Sequence, residues 1–466
     1  MALKISSRAS PMTRRVYTAS AALAALAAGL TYIISTTTPA SAMNIQTVKS
    51  PGGIEAWLVE EHSVPLMALR FAFNGGNSQD PKDKEGVANF ITAMMDEGAG
   101  DVTSAEFQER MEEIAMRMSW DDTKDSFYGN FETLTSNRVK AVELLKLAVT
   151  KPRFDKDAVD RIRQQLLANI TYSEKDPDKV AGNAWYATAF EGHPYGRPAN
   201  GTKESISGVT SADLAAYHKK IFAKNNLKVV AVGDITAAEL GKLLDDVFGG
   251  LPEKAELADV AKIDPVNAGQ QKIIEMNVPQ SVAVFGLGAM ARKDPDFMAA
   301  FVINHILGGG GFSAKLMEEV REKRGLAYSV YSYIQPYQHT SILSGSVATK
   351  NESMAESLDI IRAELKKMAD VGPSAADLEG AKQYLTGSYA LRFDTNSKIA
   401  TQLLGLLQEG FGTGYVDTRN KLVEAVTLDD VKRVAKRLLK SDGLIVTIVG
   451  KPANVKPISA TVPGRG

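Results

Sequence analysis

The stretch GGGGFSAKLMEEVREKRGLAYSV, residues 308–330, joins three local patterns. Its four glycines follow an apolar helical pattern over residues 294–307, and they predict a helix C-cap and hinge at that point. A charged segment then leads to Arg321, and a strand pattern rich in tyrosine begins at Ala327. The segment lacks the G-x-x-x-x-G-K-[ST] order of a phosphate-binding loop, because Ala314 and Lys315 do not complete it.

Outward from this stretch, the chain contains one structural pattern twice. The segment that starts at Gly129 (GNFETLTSNR) and the segment that starts at Gly345 (GSVATKNES) both predict a strand, a polar turn, a long helix and a second helix. Their separation of about 215 residues is far longer than a solenoid repeat and predicts a duplicated domain. In the first copy we expect a helix over residues 84–96, followed by a helix with a capping box formed by Thr103 and Glu106.

Three separated segments resemble the zinc peptidase family M16, the pitrilysin and mitochondrial-processing-peptidase group. They are residues 308–330, the His193-Pro-Tyr-Gly-Arg-Pro segment and Gly86-Val-Ala. The resemblance implies an α+β fold of two homologous domains, each an antiparallel sheet flanked by helices, that together form half of a clamshell around a peptide. The segment 253–269 is polar and lacks a clear period, so we expect it to be a linker between an N-terminal domain at 43–252 and a C-terminal domain at 270–453, with a tail at 454–466.

Active members of this family carry H-x-x-E-H on a helix, because His residues at i and i+4 share one face and both reach the metal. Alignment on Gly86-Val-Ala places that motif at residues 89–93, where this chain has Asn89, Thr92 and Ala93 at the two ligand positions and the base position. The third ligand, a Glu in the family, falls at Asn169. The resemblance therefore implies no metal on this chain, and we expect Asp96 and Glu97 nearby to be a solvated helix end.

The family's C-terminal domain contributes an Arg and, seven residues later, a Tyr that contact the bound peptide, and Arg321 and Tyr328 match this pair. An arginine can donate to a peptide carbonyl, and a tyrosine hydroxyl can donate to an oxyanion. Spacing alone favours a surface charge at a helix end for Arg321 and a half-buried strand aromatic for Tyr328, and the resemblance reverses this preference. The resemblance also implies that Gly309, Gly310 and Gly311 face the peptide channel and bind substrate.

Composition excludes several other functions. The 466 residues include no Cys, which excludes disulfide scaffolds, thiol catalysis and cysteine-ligated metals. Lys and Arg number 54 against 55 Asp and Glu, so no overall basic field exists to hold nucleic acid. Five His and the absence of a G-x-S-x-G elbow argue against a serine triad.

The N-terminus has the order of a secretory signal peptide. Four basic residues precede an uncharged run over 16–34, and an A-x-A type site ends at Ala42. A membrane anchor is the alternative, but the run is rich in Ala, Thr and Ser. We expect cleavage after residue 42, a periplasmic mature protein and no stable membrane insertion.

Two functions remain open. The preferred interpretation is a non-catalytic, substrate-binding subunit of a heterodimeric M16 peptidase, whose homologous partner carries H-x-x-E-H and zinc. The alternative is a scaffold or peptide-binding protein with no peptidase role.

Overall fold

The computed structural model describes residues 43–460, which form two β-sheets and the helices that cover them. The first sheet has the strand order β1-β2-β6-β3-β5-β4, and the second has the order β7-β11-β8-β10-β9. The strands are β1 (Gln46–Lys49), β2 (Glu55–Glu60), β3 (Leu66–Asn74), β4 (Arg117–Asp122), β5 (Ser126–Leu134), β6 (Leu227–Gly233), β7 (Gln271–Glu275), β8 (Gln280–Gly288), β9 (Ala327–Pro336), β10 (Ser341–Lys350) and β11 (Ile445–Gly450).

The α-helices lie between these strands along the chain. They are α1 (Val87–Thr92), α2 (Ser104–Glu113), α3 (Arg138–Thr150), α4 (Lys156–Ser173), α5 (Pro177–Ala189), α6 (Lys203–Gly208), α7 (Ser211–Ile221), α8 (Ala237–Phe248), α9 (Phe297–Asn304), α10 (Met354–Val371), α11 (Ala375–Gly387), α12 (Asn396–Gln408), α13 (Tyr415–Glu424) and α14 (Leu428–Leu438). Among residues 43–460, no helix combines the length and the hydropathy needed to cross a bilayer.

The duplication is visible in matching strand contacts. In the first sheet Gly129 on β5 lies opposite Phe71 on β3, and in the second Gly345 on β10 lies opposite Phe285 on β8. A Cβ atom on Gly129 would approach a Phe71 ring carbon to 2.1 Å, and one on Gly345 would approach a Phe285 ring carbon to 2.4 Å. Each copy therefore uses glycine to seat an aromatic ring on the neighbouring strand.

The two copies exchange one helix each. Helix α5, from the first copy, packs on β8 and β11 of the second sheet, where the Trp185 indole donates a hydrogen bond of 3.1 Å to the carbonyl of Ile445. Helix α12, from the second copy, packs on β3 and β6 of the first sheet. Its Gln408 accepts from the Tyr128 hydroxyl at 3.0 Å and donates to the Ser126 hydroxyl at 2.9 Å. Central strands such as β3 are consequently buried on both faces, and β3 is apolar except for the buried Arg70 and the terminal Asn74.

The predicted two-domain α+β fold is confirmed, with several local differences. Each sheet is antiparallel except for one parallel pair, β2 with β6 and β7 with β11. The helix expected over 84–96 is regular only from Val87 to Thr92, and the capping box of Thr103 and Glu106 is present. The helices Asn396–Gln408 and Tyr415–Glu424 were not predicted. Residues 253–269 contain no helix or strand, and the proposed signal peptide lies outside the described residues.

Candidate functional site

Arg321 and Tyr328 are brought together by a tight reversal of the chain. Arg321 lies in the π-helical segment Met317–Glu322, and Tyr328 is the second residue of β9. Between them the Gly325 amide donates to the Arg321 carbonyl at 2.8 Å, with Gly325 at a φ of +63° that favours glycine. The seven-residue spacing thus places both side chains on one surface.

The Arg321 guanidinium lies against two exposed aromatic rings. Its carbon is 5.0 Å from the ring centroid of Tyr328 and 4.6 Å from that of Phe312. Tyr328 is 84% exposed and Phe312 is 69% exposed, so Tyr328 is not the half-buried strand aromatic that its residue type allowed. Sequence analysis did not single out Phe312, although an aromatic residue directly after four glycines was the available signal.

Arg321 keeps most of its hydrogen-bonding capacity. Its Nε lies 3.7 Å from a Glu322 oxygen, and within residues 43–460 it makes no hydrogen bond through its side chain. The neighbouring cations differ from Arg321 because both form close ion pairs. Lys323 pairs with Glu318 at 2.8 Å and with Glu319 at 2.6 Å. Arg324 pairs with Glu319 at 2.7 Å. These contacts raise the pKa of Lys323 to about 12 and lower that of Glu319 to about 2.

The glycine run has several structural roles and is not a simple C-cap. Helix α9 ends at Asn304, and the chain continues as a π-helical segment from His305 to Gly309. Gly308 is buried against β9, where a Cβ would lie 2.3 Å from the Ser332 hydroxyl. Gly309 and Gly311 are exposed, Gly310 is half-buried, and of the four glycines only Gly311 has a positive φ, +59°. The predicted substrate-binding glycines therefore border Phe312 on an accessible surface.

The positions of the family's zinc motif lie on and just after the short helix α1. The Asn89 amide donates to Asp122 at 3.4 Å, and the Thr92 hydroxyl donates to the Asn89 carbonyl at 2.7 Å. Ala93 follows the helix, and Asn169 is an exposed residue of α4. The positions that hold the ligands and the base in active members thus carry amide, hydroxyl and methyl groups in this chain, and the Asn89 amide and the Thr92 hydroxyl are engaged in hydrogen bonds.

Buried carboxylates near α1 are also committed to other contacts. Asp80 accepts from the amides of Gly86 and Ala88 at 2.7 and 2.9 Å, and burial raises its pKa to about 8. Asp122 accepts from the Asn77 side chain at 2.8 Å, and burial raises its pKa to about 6. Both carboxylates are therefore easier to protonate than an exposed aspartate.

Zinc does not fit the residues present. The described part of the chain contains no group of three or more His, Cys, Asp or Glu side chains arranged to hold a metal ion. Asp96 and Glu97, beyond α1, bond to neighbouring helices, because Gln108 donates to Asp96 at 3.3 Å and Arg161 pairs with Glu97. They are consequently partnered side chains and not the simply solvated helix end that the sequence predicted. Amide and hydroxyl groups are weak zinc ligands, so we derive no metal-dependent step on this chain.

Comparison with known proteins agrees with this architecture. Residues 57–203 match the family model described as insulinase, peptidase family M16, and residues 208–385 match the model described as peptidase M16 inactive domain. The chain is 25% identical to a protein of Helicobacter pylori named a non-peptidase homolog, over 84% of this chain and 90% of that protein. It is 27% identical to an uncharacterized zinc protease of Mycobacterium leprae, over 84% of this chain and 88% of that protein.

A solved structure shares the same fold over its whole length. The crystal structure of a peptidase M16 inactive domain from Pseudomonas fluorescens superposes with a TM-score of 0.83 at 29% identity, and the match covers 89% of this chain and 100% of that one. The chain is a member of the M16 family.

Proposed function

We propose that this protein is the non-catalytic, substrate-binding subunit of a heterodimeric M16 metallopeptidase. The partner is a homologous subunit with an intact H-x-x-E-H motif and its zinc, and the substrates are peptides. In this proposal Arg321 and Tyr328 act on a peptide held at the partner's zinc site. The observation that carries the proposal is an arginine whose side chain makes no hydrogen bond within the described residues and lies beside two highly exposed aromatic rings.

The surface chemistry supports such a contact. Monomeric proteins rarely leave large aromatic side chains grouped on the surface, and such groups are enriched at binding sites. Phe312 and Tyr328 form such a group, with Arg321 between them. A depression of about 480 Å³ runs beside the pair and is bordered by Gln280 and Lys350. It offers room for a segment of extended peptide.

Each side chain has a distinct role in the proposed reaction. The Arg321 guanidinium donates hydrogen bonds to a backbone carbonyl of the peptide and holds it in register. The Tyr328 hydroxyl donates to the oxygen that becomes negatively charged when water attacks the scissile carbonyl. A donor placed at that oxygen stabilises the transition state more than the ground state. Metal activation of the water is the partner's contribution.

A scaffold role is the second candidate, and one finding favours it. The Helicobacter pylori relative is named a non-peptidase homolog. In this case Arg321, Tyr328 and Phe312 form a protein or peptide contact with no part in hydrolysis. The two candidates differ in whether activity appears on mixing with a zinc-bearing M16 chain.

The decisive experiment is reconstitution. Each chain is purified alone, and the two are mixed and checked for assembly by size-exclusion chromatography. Cleavage of a fluorogenic peptide by the mixture, at a rate above that of either chain alone, supports the subunit role. A stable complex whose activity only equals that of the zinc-bearing chain would favour the scaffold role instead.

We also propose export to the periplasm, from the N-terminal pattern described above. Mass spectrometry of the periplasmic fraction should show a mature chain that begins at about Met43. A full-length chain recovered from the membrane fraction would instead identify residues 16–34 as an anchor.

A further inference from the structure

A second site is built where helices α9, α12 and α13 meet, around a cavity of about 280 Å³. We call it the arginine pocket, and its wall includes Arg292, Phe297, Tyr389, Arg392, Tyr415 and Arg419. It shares no lining residue with the depression beside Arg321 and Tyr328. Three arginines line it, against a single carboxylate, that of Glu409.

Arg419 is a buried cation without a counter-charge. It is only 6% exposed, and its Nη1 donates to the carbonyl of Leu385 at 2.6 Å and to the side-chain oxygen of Asn420 at 2.9 Å. Its guanidinium carbon lies 4.5 Å from the Tyr389 ring centroid. Within residues 43–460 no carboxylate forms an ion pair with it. Burial of an unpaired charge is unfavourable, so a bound anion would stabilise this arrangement.

The other two arginines add positive charge to the same space. Arg392 is exposed at the rim and makes no hydrogen bond or ion pair within the described part of the chain. Arg292 is held by Glu409 at 2.9 Å and by the Tyr415 hydroxyl at 2.9 Å. Burial lowers the pKa of Arg419, and repulsion from Arg392 and Arg292 lowers it further. The pocket therefore holds a net positive charge that its own residues do not neutralise.

The remaining wall favours an apolar group attached to the anion. Phe297, Phe301 and Tyr389 line the pocket, and the Thr401 and Gln402 side chains add polar groups. The volume lies just below the range of roughly 300–1,000 Å³ typical of drug-sized ligands, which suits one amino-acid residue better than a longer segment. A carboxylate matches the planar fork of a guanidinium, and Arg392 and Arg419 both offer one.

The pocket adjoins a larger space. A central cleft of about 820 Å³ lies between the two sheets and has Arg292, Pro336, Gly405 and Glu409 in common with the pocket. The cleft is lined from the first copy by residues such as Tyr128 and from the second copy by residues such as Tyr337. A peptide that ends in the pocket would therefore have the cleft directly beside it.

We propose that the arginine pocket binds the free α-carboxylate of a peptide whose last residue has an apolar or aromatic side chain. Arg392 and Arg419 hold the carboxylate, the aromatic wall takes the side chain, and the preceding residues lie in the central cleft. The inference goes beyond the proposed subunit role, since it concerns binding by this chain alone.

The test uses the isolated chain and a matched pair of probes. A fluorescently labelled tetrapeptide, Ala-Ala-Ala-Phe, is prepared with a free C-terminal acid and with a C-terminal amide, and binding is followed by fluorescence polarisation. We expect the acid to bind at least about tenfold more tightly, since charge-assisted hydrogen bonds are made only to the carboxylate. Because no partner subunit is present, failure of this test leaves the reconstitution result unaffected.

Variants connect the preference to the pocket. Arg392→Gln removes an exposed side chain without cost to the core, and we expect it to bring the affinity for the acid close to that for the amide. Arg419→Gln should act in the same direction, with circular dichroism to confirm folding. Arg324→Gln is the control, because it removes an exposed arginine that pairs with Glu319 and does not line the pocket, so it should leave binding unchanged.

Three results would overturn the proposal. They are equal affinity for the acid and the amide, an undiminished preference in Arg392→Gln, and binding of inorganic phosphate that is tighter than binding of the peptide acid. The last result would identify the pocket as a general anion site.

Discussion

The guanidinium carbon of Arg321 lies 5.0 Å from the ring centroid of Tyr328, and the ring is almost fully exposed. A cation beside an aromatic face is attracted by the quadrupole of the ring, and this attraction holds the two side chains in one orientation. The phenol hydroxyl and the free guanidinium donors are therefore positioned together on the surface. If a substrate peptide held by the partner subunit reaches this surface, both donors can bind to it together.

Substitution of the pair should lower activity in the reconstituted enzyme without preventing assembly. Tyr328→Phe removes one hydroxyl, and loss of an oxyanion donor lowers the rate by about a hundredfold to a thousandfold. Arg321→Ala should raise KM as well as lower kcat, because it also removes a substrate contact. The measurement is kcat/KM on a fluorogenic peptide.

Arg324→Ala is the matched control for this prediction. It removes the same charge three residues away, where the guanidinium is already paired with Glu319. Its effect on kcat/KM should be small, since screened surface pairs contribute little. Wild-type rates for assembled Tyr328→Phe and Arg321→Ala complexes would assign the pair a structural role.

Purified, dialysed chain should contain no stoichiometric zinc. Asn89, Thr92 and Ala93 supply no imidazole or carboxylate, and Asn89 is bonded to Asp122. Metal analysis by inductively coupled plasma mass spectrometry checks this directly. About one zinc per chain, lost in Asn89→Ala, would contradict our interpretation of the α1 region.

The two matching glycines should respond alike to substitution. Gly129→Ala and Gly345→Ala each place a methyl group inside the van der Waals distance of a phenylalanine ring, and each should lower the free energy of unfolding by about 1–3 kcal/mol. Gly182→Ala is the control, because a Cβ at this position in α5 meets nothing within 4 Å. It should raise stability by up to about 1 kcal/mol through helix propensity. Thermal unfolding of the three variants tests the prediction, and stable Gly129→Ala and Gly345→Ala proteins would refute it.

Stability should depend on pH through His218. This side chain is half-buried beside Phe222 and donates to the Val149 carbonyl at 2.8 Å, and desolvation lowers its pKa from 6.5 to about 4. The unfolded chain binds a proton between these pH values and the folded chain does not, so stability falls as pH drops from about 6.5 to about 4. The loss attributable to this group is roughly 3 kcal/mol.

A histidine variant separates this effect from general acid denaturation. His218→Gln should remove the His218 contribution, so the difference in stability between wild type and variant should change across that pH range. His62 has the opposite sign, because hydrogen bonds to Asp234 and Glu60 raise its pKa. The stability that His62 contributes is present below pH 6.5, and it is lost as the pH rises through the higher pKa that His62 has in the folded protein. Chemical denaturation at a series of pH values would reject the assignment if His218→Gln parallels wild type throughout.

The sequence alone determined the features that depend on residue identity and on order along the chain. Repetition of the strand–turn–helix pattern predicted two copies of one unit, and Gly129 and Gly345 were already aligned by that repeat. Absence of imidazole at 89–93 excluded the family's zinc chemistry without any coordinates. The capping box at Thr103 followed from a four-residue pattern, because such contacts are local.

Only the tertiary structure decided features that depend on distant segments meeting. The residues of α5 gave no local indication that Trp185 would pack on the other copy's sheet, and helix α12 was not predicted. Exposure of Tyr328 depends on β9 being the edge strand of its sheet, which pairing and not residue type determines. The arginine pocket brings together Arg292, Arg392 and Arg419, which are far apart in the sequence. Their positive charges share one space only because α9, α12 and α13 pack together. Local patterns cannot specify such contacts, because the energy of each contact depends on burial and on neighbours far away in the sequence.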